Sequence, residues 1–374
     1  MKAQGAAVPF ADFAAHLAPI RAEIDAALAR VLDSGWFILG PEVEAFEREL
    51  AAAVGAPQAI AVGNGTDALE LALTALDVGP GDEVVTSPLT AAFTAMAVLS
   101  VGARPVFADV DPETLNVSPE AVARAITPRT KALMPVHLYG HPADLDPILA
   151  LGRERGLPVL EDACQAVGAL YKGRAVGTLD GLGALSFYPT KNLGALGDGG
   201  AVLVSDRERA ERLRKLRNGG QTDRYRHVLM GRNSRLDEMQ AAVLRVGLRH
   251  LHDWTERRRA LAEIYKRELE GAPVRLLREQ PYARSVYHLF VVRHPRRDAL
   301  AAALKEQGVG TLVHYPIPLH LQPAFSAFGG RPGDFPVAER AAGEVFSLPF
   351  YPEMADGQAR AVAAAVRRAS EALA

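Results

Sequence analysis

The stretch AIAVGNGTDALELALTAL, residues 59–76, decides the fold. It begins with an apolar run typical of a buried strand, turns at the glycines of 63–65, and continues with leucines among alanines that predict a helix over about 66–76. Further apolar runs alternate with helical patterns, and they are EVVT (83–86), RPVFADV (104–110), ALMPVH (132–137), LPVLED (157–162) and GAVLV (200–204). Such alternation predicts an α/β fold with a mostly parallel sheet and helices on both faces.

The pattern changes after Asp206, which indicates a second domain. Long helical stretches over about 206–218 and 237–270 give way to a smaller segment, with strands at 288–293 and near 310–314, a helix over 297–308 and a helix at the C-terminus. A chain of 374 residues is long enough for two domains. We expect an N-terminal arm of about 40 residues and a large α/β domain within 1–250, and a small α+β domain over 251–374. Ser118, Pro119 and Asp237 mark expected helix starts.

Composition excludes several classes of protein. The formal net charge is −2, so the chain lacks the electrostatic footprint of a nucleic-acid binder. Cys164 is the only cysteine, which excludes an intramolecular disulfide and a cysteine metal cluster, and we expect no metal. The uncharged residues 84–103 contain Pro88 and Gly102, and they predict a short strand and a buried helix rather than a membrane span. With no apolar signal region at the start, a cytoplasmic protein without membrane partners is expected.

Three short segments contain the residue types of one chemical site. GNGTDAL at 63–69 follows a strand and opens a helix, an arrangement that suits an anion. LPVLEDACQAVGA at 157–169 brings Asp162 to the carboxyl end of a strand, and SFYPTKNLGALGDGG at 186–200 surrounds Lys191 with glycines and prolines. Pyridoxal 5'-phosphate needs these groups for its phosphate, its ring nitrogen and its aldehyde. The three segments therefore predict a pyridoxal-phosphate site.

Two other interpretations of these segments stay open at this point. Gly63, Gly65 and Ala68 fit a loose dinucleotide pattern, so an NAD-dependent oxidoreductase is one alternative. That class has an acidic residue at the end of the next strand, whereas the acidic residues here, 82–83, come at its beginning. Cys164 could serve as a catalytic thiol, although no histidine lies near it in sequence and a packing role is favoured.

Six motifs resemble the nucleotide-sugar aminotransferases of the DegT/StrS type. In chain order they are GNGTDALELAL, VHLYGHPADLDPI, EDACQAVGA, SFYPTKNLGALGDGGA, GRNSRLDEMQAA and HYPIPLH, and the resemblance extends from residue 35 over essentially the whole chain. It implies the fold of type I pyridoxal-phosphate enzymes and a homodimer, or dimer of dimers, with shared active sites. The implied reaction moves an amino group from L-glutamate to a keto group of a nucleotide-linked deoxysugar, with carbon 3 favoured by two of the motifs.

The resemblance also implies roles for individual residues. Lys191 would form the Schiff base with the cofactor, Asp162 would pair with the ring nitrogen, and Gln165 would bond the ring hydroxyl. Phosphate contacts are implied for Gly65, Thr66, Asp67 through its backbone N–H, Ser186, and Asn233 from the neighbouring subunit. Some relatives are sugar dehydratases with a histidine in place of the lysine, and Lys191 argues against that alternative. A non-catalytic regulator with the same fold is a third alternative.

One position departs from the pattern of the family. An aromatic residue usually stacks on the cofactor ring, but this chain has Ala91 there, so Phe93 is the candidate to cover the ring. Contacts with the sugar are implied for Trp36, His314, Tyr315 and His320.

Overall fold

A computed structural model describes residues 7–328 and 330–373. Residues 1–6 of the expected N-terminal arm and residue 374 of the expected small domain lie outside the described residues. The α-helices are α1 (Phe13–Leu17), α2 (Arg21–Ser34), α3 (Pro41–Val54), α4 (Gly65–Ala75), α5 (Ala92–Ser100), α6 (Pro119–Ala125), α7 (Leu145–Arg155), α8 (Arg207–Leu216), α9 (Glu238–Glu268), α10 (Arg297–Glu306), α11 (Pro336–Glu344) and α12 (Asp356–Glu371). The β-strands are β1 (Gln58–Val62), β2 (Glu83–Thr86), β3 (Arg104–Phe107), β4 (Thr130–Leu133), β5 (Glu161–Asp162), β6 (Leu170–Tyr171), β7 (Arg174–Ala175), β8 (Leu182–Ser186), β9 (Gly200–Val204), β10 (Gln221–Asp223), β11 (Arg226–His227), β12 (Arg275–Leu276), β13 (Ala283–Arg284), β14 (Phe290–Arg293) and β15 (Val345–Leu348).

One large sheet organises the first two thirds of the chain. Two ladders, β3-β2-β4 and β5-β8-β9-β1, are joined by parallel bridges between Leu133 and Val159 and between Val136 and Asp162. The pairs β2–β3, β2–β4 and β5–β8 are parallel, whereas β9 runs antiparallel to both of its neighbours. The predicted mostly parallel sheet is therefore confirmed.

Helices cover both faces of this sheet, as the alternation of its side chains requires. Ala59 and Ala61 of β1 face a cluster that includes residues of α3, α6, α7 and α9. Ile60 and Val62 face the opposite cluster, formed with α4, α5 and α8. The leucines of α4 that identified this helix in the sequence, including Leu69 and Leu73, are buried there.

The helix starts follow the side chains that cap them. Ser118 accepts a hydrogen bond from the backbone of Ala121, with Pro119 as the first residue of α6. Asp237 accepts one from the backbone of Gln240 at 2.8 Å and starts α9. Both predicted starts are confirmed. Residues 84–103 form most of β2, a loop and α5, as expected, and within the described ranges no helix has the length and apolar character needed to cross a bilayer.

The C-terminal part contains a small antiparallel sheet in the order β12-β14-β15. It packs with α10, α12 and the second half of α9 around a separate apolar cluster. The prediction of a strand near 310–314 is wrong, because this segment makes only single bridges, at Val309 and Leu312. Pro316 and Pro318 follow closely, and proline cannot donate to a ladder. Instead, β15 pairs with β14.

Candidate active site

Asp162 ends β5 at the carboxyl edge of the large sheet and is only 3% exposed. Its Oδ2 accepts a hydrogen bond from the Thr94 hydroxyl at 2.8 Å, and its Oδ1 accepts one from the Cys164 backbone N–H at 3.2 Å. The Thr90 hydroxyl lies 3.1 Å from that of Thr94. The carboxylate is thus fixed from two sides. Thr94 was not predicted for this role, and its position four residues after Thr90 was the signal available in the sequence.

Lys191 lies in the loop that joins β8 to its antiparallel neighbour β9. The loop is compact, since Phe187 donates its backbone N–H to Gly199 at 2.7 Å and accepts one from Ala195 at 2.8 Å. A Cβ on Gly194 would lie 2.5 Å from the Pro189 carbonyl oxygen, so this close approach requires glycine. Burial lowers the pKa of Lys191, while Cys164 and Asp162 oppose that change. The lysine amine is therefore closer to its uncharged form than a surface lysine.

The start of α4 forms a cradle with the end of β8. A Cβ on Gly65 would lie 2.6 Å from Ser186 Cβ and 3.1 Å from Cys164 Sγ, so only a glycine allows α4 to approach the end of β8 this closely. The backbone N–H groups of Gly65 and Thr66 have no acceptor within the helix and suit an anion. The Asp67 N–H, in contrast, donates to the Asn64 side chain at 2.9 Å.

A residue that sequence analysis missed supports the cradle. The Ser234 hydroxyl accepts a hydrogen bond from the Gly63 backbone at 3.0 Å and donates to Asp67 Oδ2 at 2.5 Å. Ser234 directly follows Asn233, for which the family resemblance implies a phosphate contact. This neighbouring position was the signal in the sequence that could have identified Ser234. The loop before α9 is thereby attached to the glycine turn of the same chain.

Cys164 packs between Gly65 and Asp162. Burial raises the pKa of its thiol well above the usual range, and the charge of Asp162 acts in the same direction. Its Sγ lies 3.7 Å from the Ala184 carbonyl oxygen. A protonated thiol is a poor nucleophile, so these observations favour the packing role over the catalytic one.

Gln165 contacts Tyr315, whose ring lies against that of His314, and His314 is the member of this group near Lys191. Gln165 accepts a hydrogen bond from the Tyr139 backbone at 2.8 Å, and its Nε2 donates to the Tyr315 hydroxyl at 3.0 Å. His314 Nδ1 lies 2.9 Å from the Ser347 hydroxyl. Burial, together with the charge of Lys191, lowers the pKa of His314 to about 4, so this ring is neutral at physiological pH.

Two of the residues implied for the sugar lie elsewhere in this chain. His320 is buried, with Nε2 3.0 Å from Glu339 Oε1 and its ring against Phe335. It lines a cavity distinct from the one beside Lys191. Trp36 is 58% exposed and donates its indole N–H to the Ile38 carbonyl at 2.8 Å. Their sugar contacts stay predictions.

Phe93 and Asn233 also remain predictions in their expected roles. Phe93 is 61% exposed in the first turn of α5, one residue before Thr94. Asn233 is exposed and forms a single bridge with Asn218. Both side chains are accessible from outside this chain, so neither position conflicts with a role that needs a second subunit.

The dinucleotide alternative lacks its acidic residue. Glu83 lies at the amino end of β2, where it accepts hydrogen bonds from Thr127 at 2.5 Å and from Arg129 Nε at 3.0 Å. A ribose would need a carboxylate at the opposite end of this strand. Residues 63–68 thus form an anion cradle without the partner that a dinucleotide requires.

Comparison with known proteins gives matches over nearly the whole chain. A profile of the DegT/DnrJ/EryC1/StrS aminotransferase family matches residues 19–367. The erythromycin biosynthesis sensory transduction protein EryC1 of Saccharopolyspora erythraea is 53% identical, with 93% of this chain and 95% of the relative covered. The dTDP-3-amino-3,4,6-trideoxy-alpha-D-glucose transaminase of Streptomyces venezuelae is 49% identical, with 99% and 98% covered.

Solved structures agree with these matches. S. venezuelae DesV, crystallised in complex with a ketimine intermediate, is 49% identical and superposes with a TM-score of 0.97, covering 98% of this chain and 99% of that one. NtdA of Bacillus subtilis with bound cofactor PMP is 31% identical with a TM-score of 0.87, covering 94% of this chain and 82% of that one.

Proposed function

Because the chain belongs to the DegT/DnrJ/EryC1/StrS aminotransferase family, we propose that it transfers an amino group from L-glutamate to the carbon-3 ketone of a nucleotide-linked deoxysugar. The chain is an aminotransferase with pyridoxal 5'-phosphate as its cofactor. The Streptomyces venezuelae relative, named for a 3-amino sugar, supports the choice of carbon 3. The motifs at 136–148 and 314–320 support it as well.

The observed residues fit this cofactor. The close approach of Gly65 to Ser186, where a Cβ would lie 2.6 Å from the serine Cβ, brings the serine side chain to the start of α4, whose N–H groups suit a phosphate. Gly65, Thr66 and Ser186 would hold the phosphate, and Asp162 would pair with the ring nitrogen. When bound, the cofactor supplies an aldehyde that carries the amino group and a ring that withdraws electrons from the reacting carbon.

Lys191 would move the proton in both halves of the reaction. Its Nζ is the base that takes the proton from the amino-bearing carbon of glutamate, and it delivers a proton to carbon 3 of the sugar. The lowered pKa of Lys191 favours the uncharged amine that can accept this proton. The observation that carries the proposal is that Asp162 and Cys164 act on the pKa of Lys191 while Cys164 also packs against Gly65 at the start of α4.

We further propose a homodimer in which Asn233 completes the neighbouring subunit's phosphate site. Exposed apolar side chains at Trp36, Phe37 and Ile38, and at Phe93, support a surface that is covered in the working enzyme. Mixing Lys191→Ala chains with Asn233→Ala chains should restore about a quarter of wild-type activity, since random dimers would contain one intact site in every mixed pair. If both residues serve the same subunit's site, mixing restores nothing.

The proposed domain division lies within α9, at about residue 250. Apolar residues of α9 up to Leu251 pack with the large sheet, whereas Leu261 and later residues pack with the C-terminal elements. A cytoplasmic location is also part of the proposal, and the lone cysteine, Cys164, supports it because disulfides are scarce there.

A substrate screen tests the proposed reaction. The holoenzyme is incubated with L-glutamate carrying an isotopic nitrogen label and with dTDP-, UDP- or GDP-linked ketosugars, and products are identified by mass. We expect the label in an amino sugar, and none with the Lys191→Ala variant. Labelled nitrogen transferred to the cofactor but to none of the ketosugars would refute the sugar substrate while leaving the aminotransferase assignment intact.

A further inference from the structure

Asn192, directly after the lysine, is held by two hydrogen bonds. Its side chain is buried, and Nδ2 donates to the Val286 carbonyl at 2.9 Å. Its Oδ1 lies 3.3 Å from His288 Nδ1. Because the amide nitrogen is used on a carbonyl, the oxygen that faces His288 can only accept. His288 therefore carries its proton on Nδ1, and Nε2 is left as an acceptor.

The surroundings keep the His288 ring neutral. It is 6% exposed, and burial lowers its pKa well below the usual range. The positive charges of Lys191 in the loop and Arg258 on α9 act in the same direction, and His314 in the segment after α10 adds to them only when it is protonated. A neutral ring with one hydrogen-bond arrangement gives the lysine loop a constant partner across the physiological pH range.

The backbone around His288 is also held by close contacts. Arg258 Nη1 contacts the carbonyl oxygens of Tyr287, His288 and Phe350 at 3.3, 3.4 and 3.2 Å. Tyr287 has a φ of +45°, a left-handed conformation that a bulky side chain rarely adopts without support. In addition, a Cβ on Gly140 would lie 2.7 Å from the backbone nitrogen of His288, so only a glycine allows the two backbones to approach this closely. These contacts fix the backbone from which the His288 ring projects.

Lys191 and His288 also line one small cavity. Phe10 and Phe13 of the N-terminal arm close it on another side. His288 is thus linked to Lys191 in two ways, because both residues line the same cavity and because His288 contacts Asn192, the next residue in the chain.

We propose that His288 is a positioning residue, which fixes the backbone of Lys191 through the hydrogen bond to Asn192 and so sets the direction of Nζ relative to Asp162. Asn192 is one residue away, so a rotation of its peptide moves the lysine directly. Displacing a reacting group by about 1 Å can cost on the order of 100-fold in rate. The inference depends on the aminotransferase activity and not on which sugar is the acceptor.

Two substitutions distinguish the roles of the two ring nitrogens of His288. His288→Asn keeps a donor in place of Nδ1 and loses Nε2, whereas His288→Gln keeps a polar atom near Nε2 and loses that donor. With holoenzyme, we expect His288→Asn to retain kcat within about threefold, and His288→Gln to lose about 10- to 100-fold in kcat with little change in the KM for glutamate. The pH midpoint of the bound cofactor's visible band should shift in His288→Gln only.

The bond itself can be tested by a double-mutant cycle and by spectroscopy. Combining His288→Gln with Asn192→Ala should cost little more than Asn192→Ala alone, because the alanine already removes the bond to His288 together with the bond to Val286. Equal losses in His288→Asn and His288→Gln, an unshifted band in both, or additive effects would overturn the proposal. If the variants do not fold, NMR of the wild-type holoenzyme with labelled histidine nitrogens decides, since a proton on Nε2 of His288 contradicts the inference.

Discussion

Replacing Gly65 by alanine tests whether the cradle holds the cofactor phosphate. The new Cβ would lie 2.6 Å from Ser186 Cβ and 3.1 Å from Cys164 Sγ. Carbon atoms in contact normally lie about 3.5–4.0 Å apart, so the overlap with Ser186 is about 1 Å. Both neighbours are short side chains close to the backbone and cannot rotate away. The start of α4 or the end of β8 must therefore move.

The cost of this movement should appear mainly in cofactor affinity. Without the cofactor, α4 can shift away from β8, but binding needs the N–H groups of Gly65 and Thr66 at their original places. Overpacking of this kind costs about 1–3 kcal/mol. At about 1.4 kcal/mol per tenfold change, pyridoxal phosphate should bind about 5- to 150-fold more weakly.

Titration of the apoenzyme with pyridoxal phosphate, followed by the visible band, measures this loss. The control is Gly343→Ala, the same chemical change in α11 at a position with no atom near the new Cβ. It should leave cofactor affinity unchanged and, since alanine favours helix, should not lower stability. Wild-type affinity in Gly65→Ala, together with reduced thermal stability, would show that the cradle packs the protein but does not bind phosphate.

Two further predictions concern buried titrating groups. Because burial raises the pKa of Cys164, a thiol reagent at pH 8 should leave the native apoenzyme unlabelled and label it only on unfolding, and rapid native labelling would revive the catalytic-thiol interpretation. His141 Nε2 accepts the Gln280 backbone N–H at 3.1 Å, and burial lowers the His141 pKa to about 4. As the pH is lowered from 6.5 to 4, the histidine of the unfolded chain is therefore protonated before that of the folded chain, and the free energy of unfolding decreases. The loss is on the order of 3 kcal/mol, and denaturant unfolding of His141→Gln should show a shallower fall over the same range, whereas an unchanged slope would assign the acid sensitivity to other groups.

Local signals allowed most of the large sheet and its covering helices to be predicted. The alternation of apolar runs and helical patterns, with caps such as Ser118 and Asp237, depends on neighbours in sequence, and the structure retains it. The failure near 310–314 has a tertiary cause. That segment is apolar enough for a strand, but prolines follow it and the partner position beside β14 is occupied by β15.

The residue types of the site were also visible in sequence, while their supports were not. Lys191, Asp162 and the glycine turn stood out because each sits in a distinctive local pattern. Thr94 and Ser234 reach their partners across 68 and 167 residues, and ordinary threonines and serines give no local sign of such contacts. The packing of the His320 ring against Phe335 was likewise not visible in sequence, and its predicted sugar contact stays a prediction.

The position of β9 has a consequence for how the protein is made. Among the described strands, β1 pairs only with β9. Gln58 is paired with Val204, and the Asn64 backbone packs against Gly200, so neither contact can form before β9 has been made. While the ribosome is still short of residue 200, the nascent chain has an unpaired strand and an unfinished phosphate turn. Any product truncated before that point would have an unpaired strand edge that can form hydrogen bonds with strands of other chains. The pairing of β1 and the covering of the Asn64 turn are therefore possible only after residues 200–204, just past the middle of the 374-residue chain, have been made.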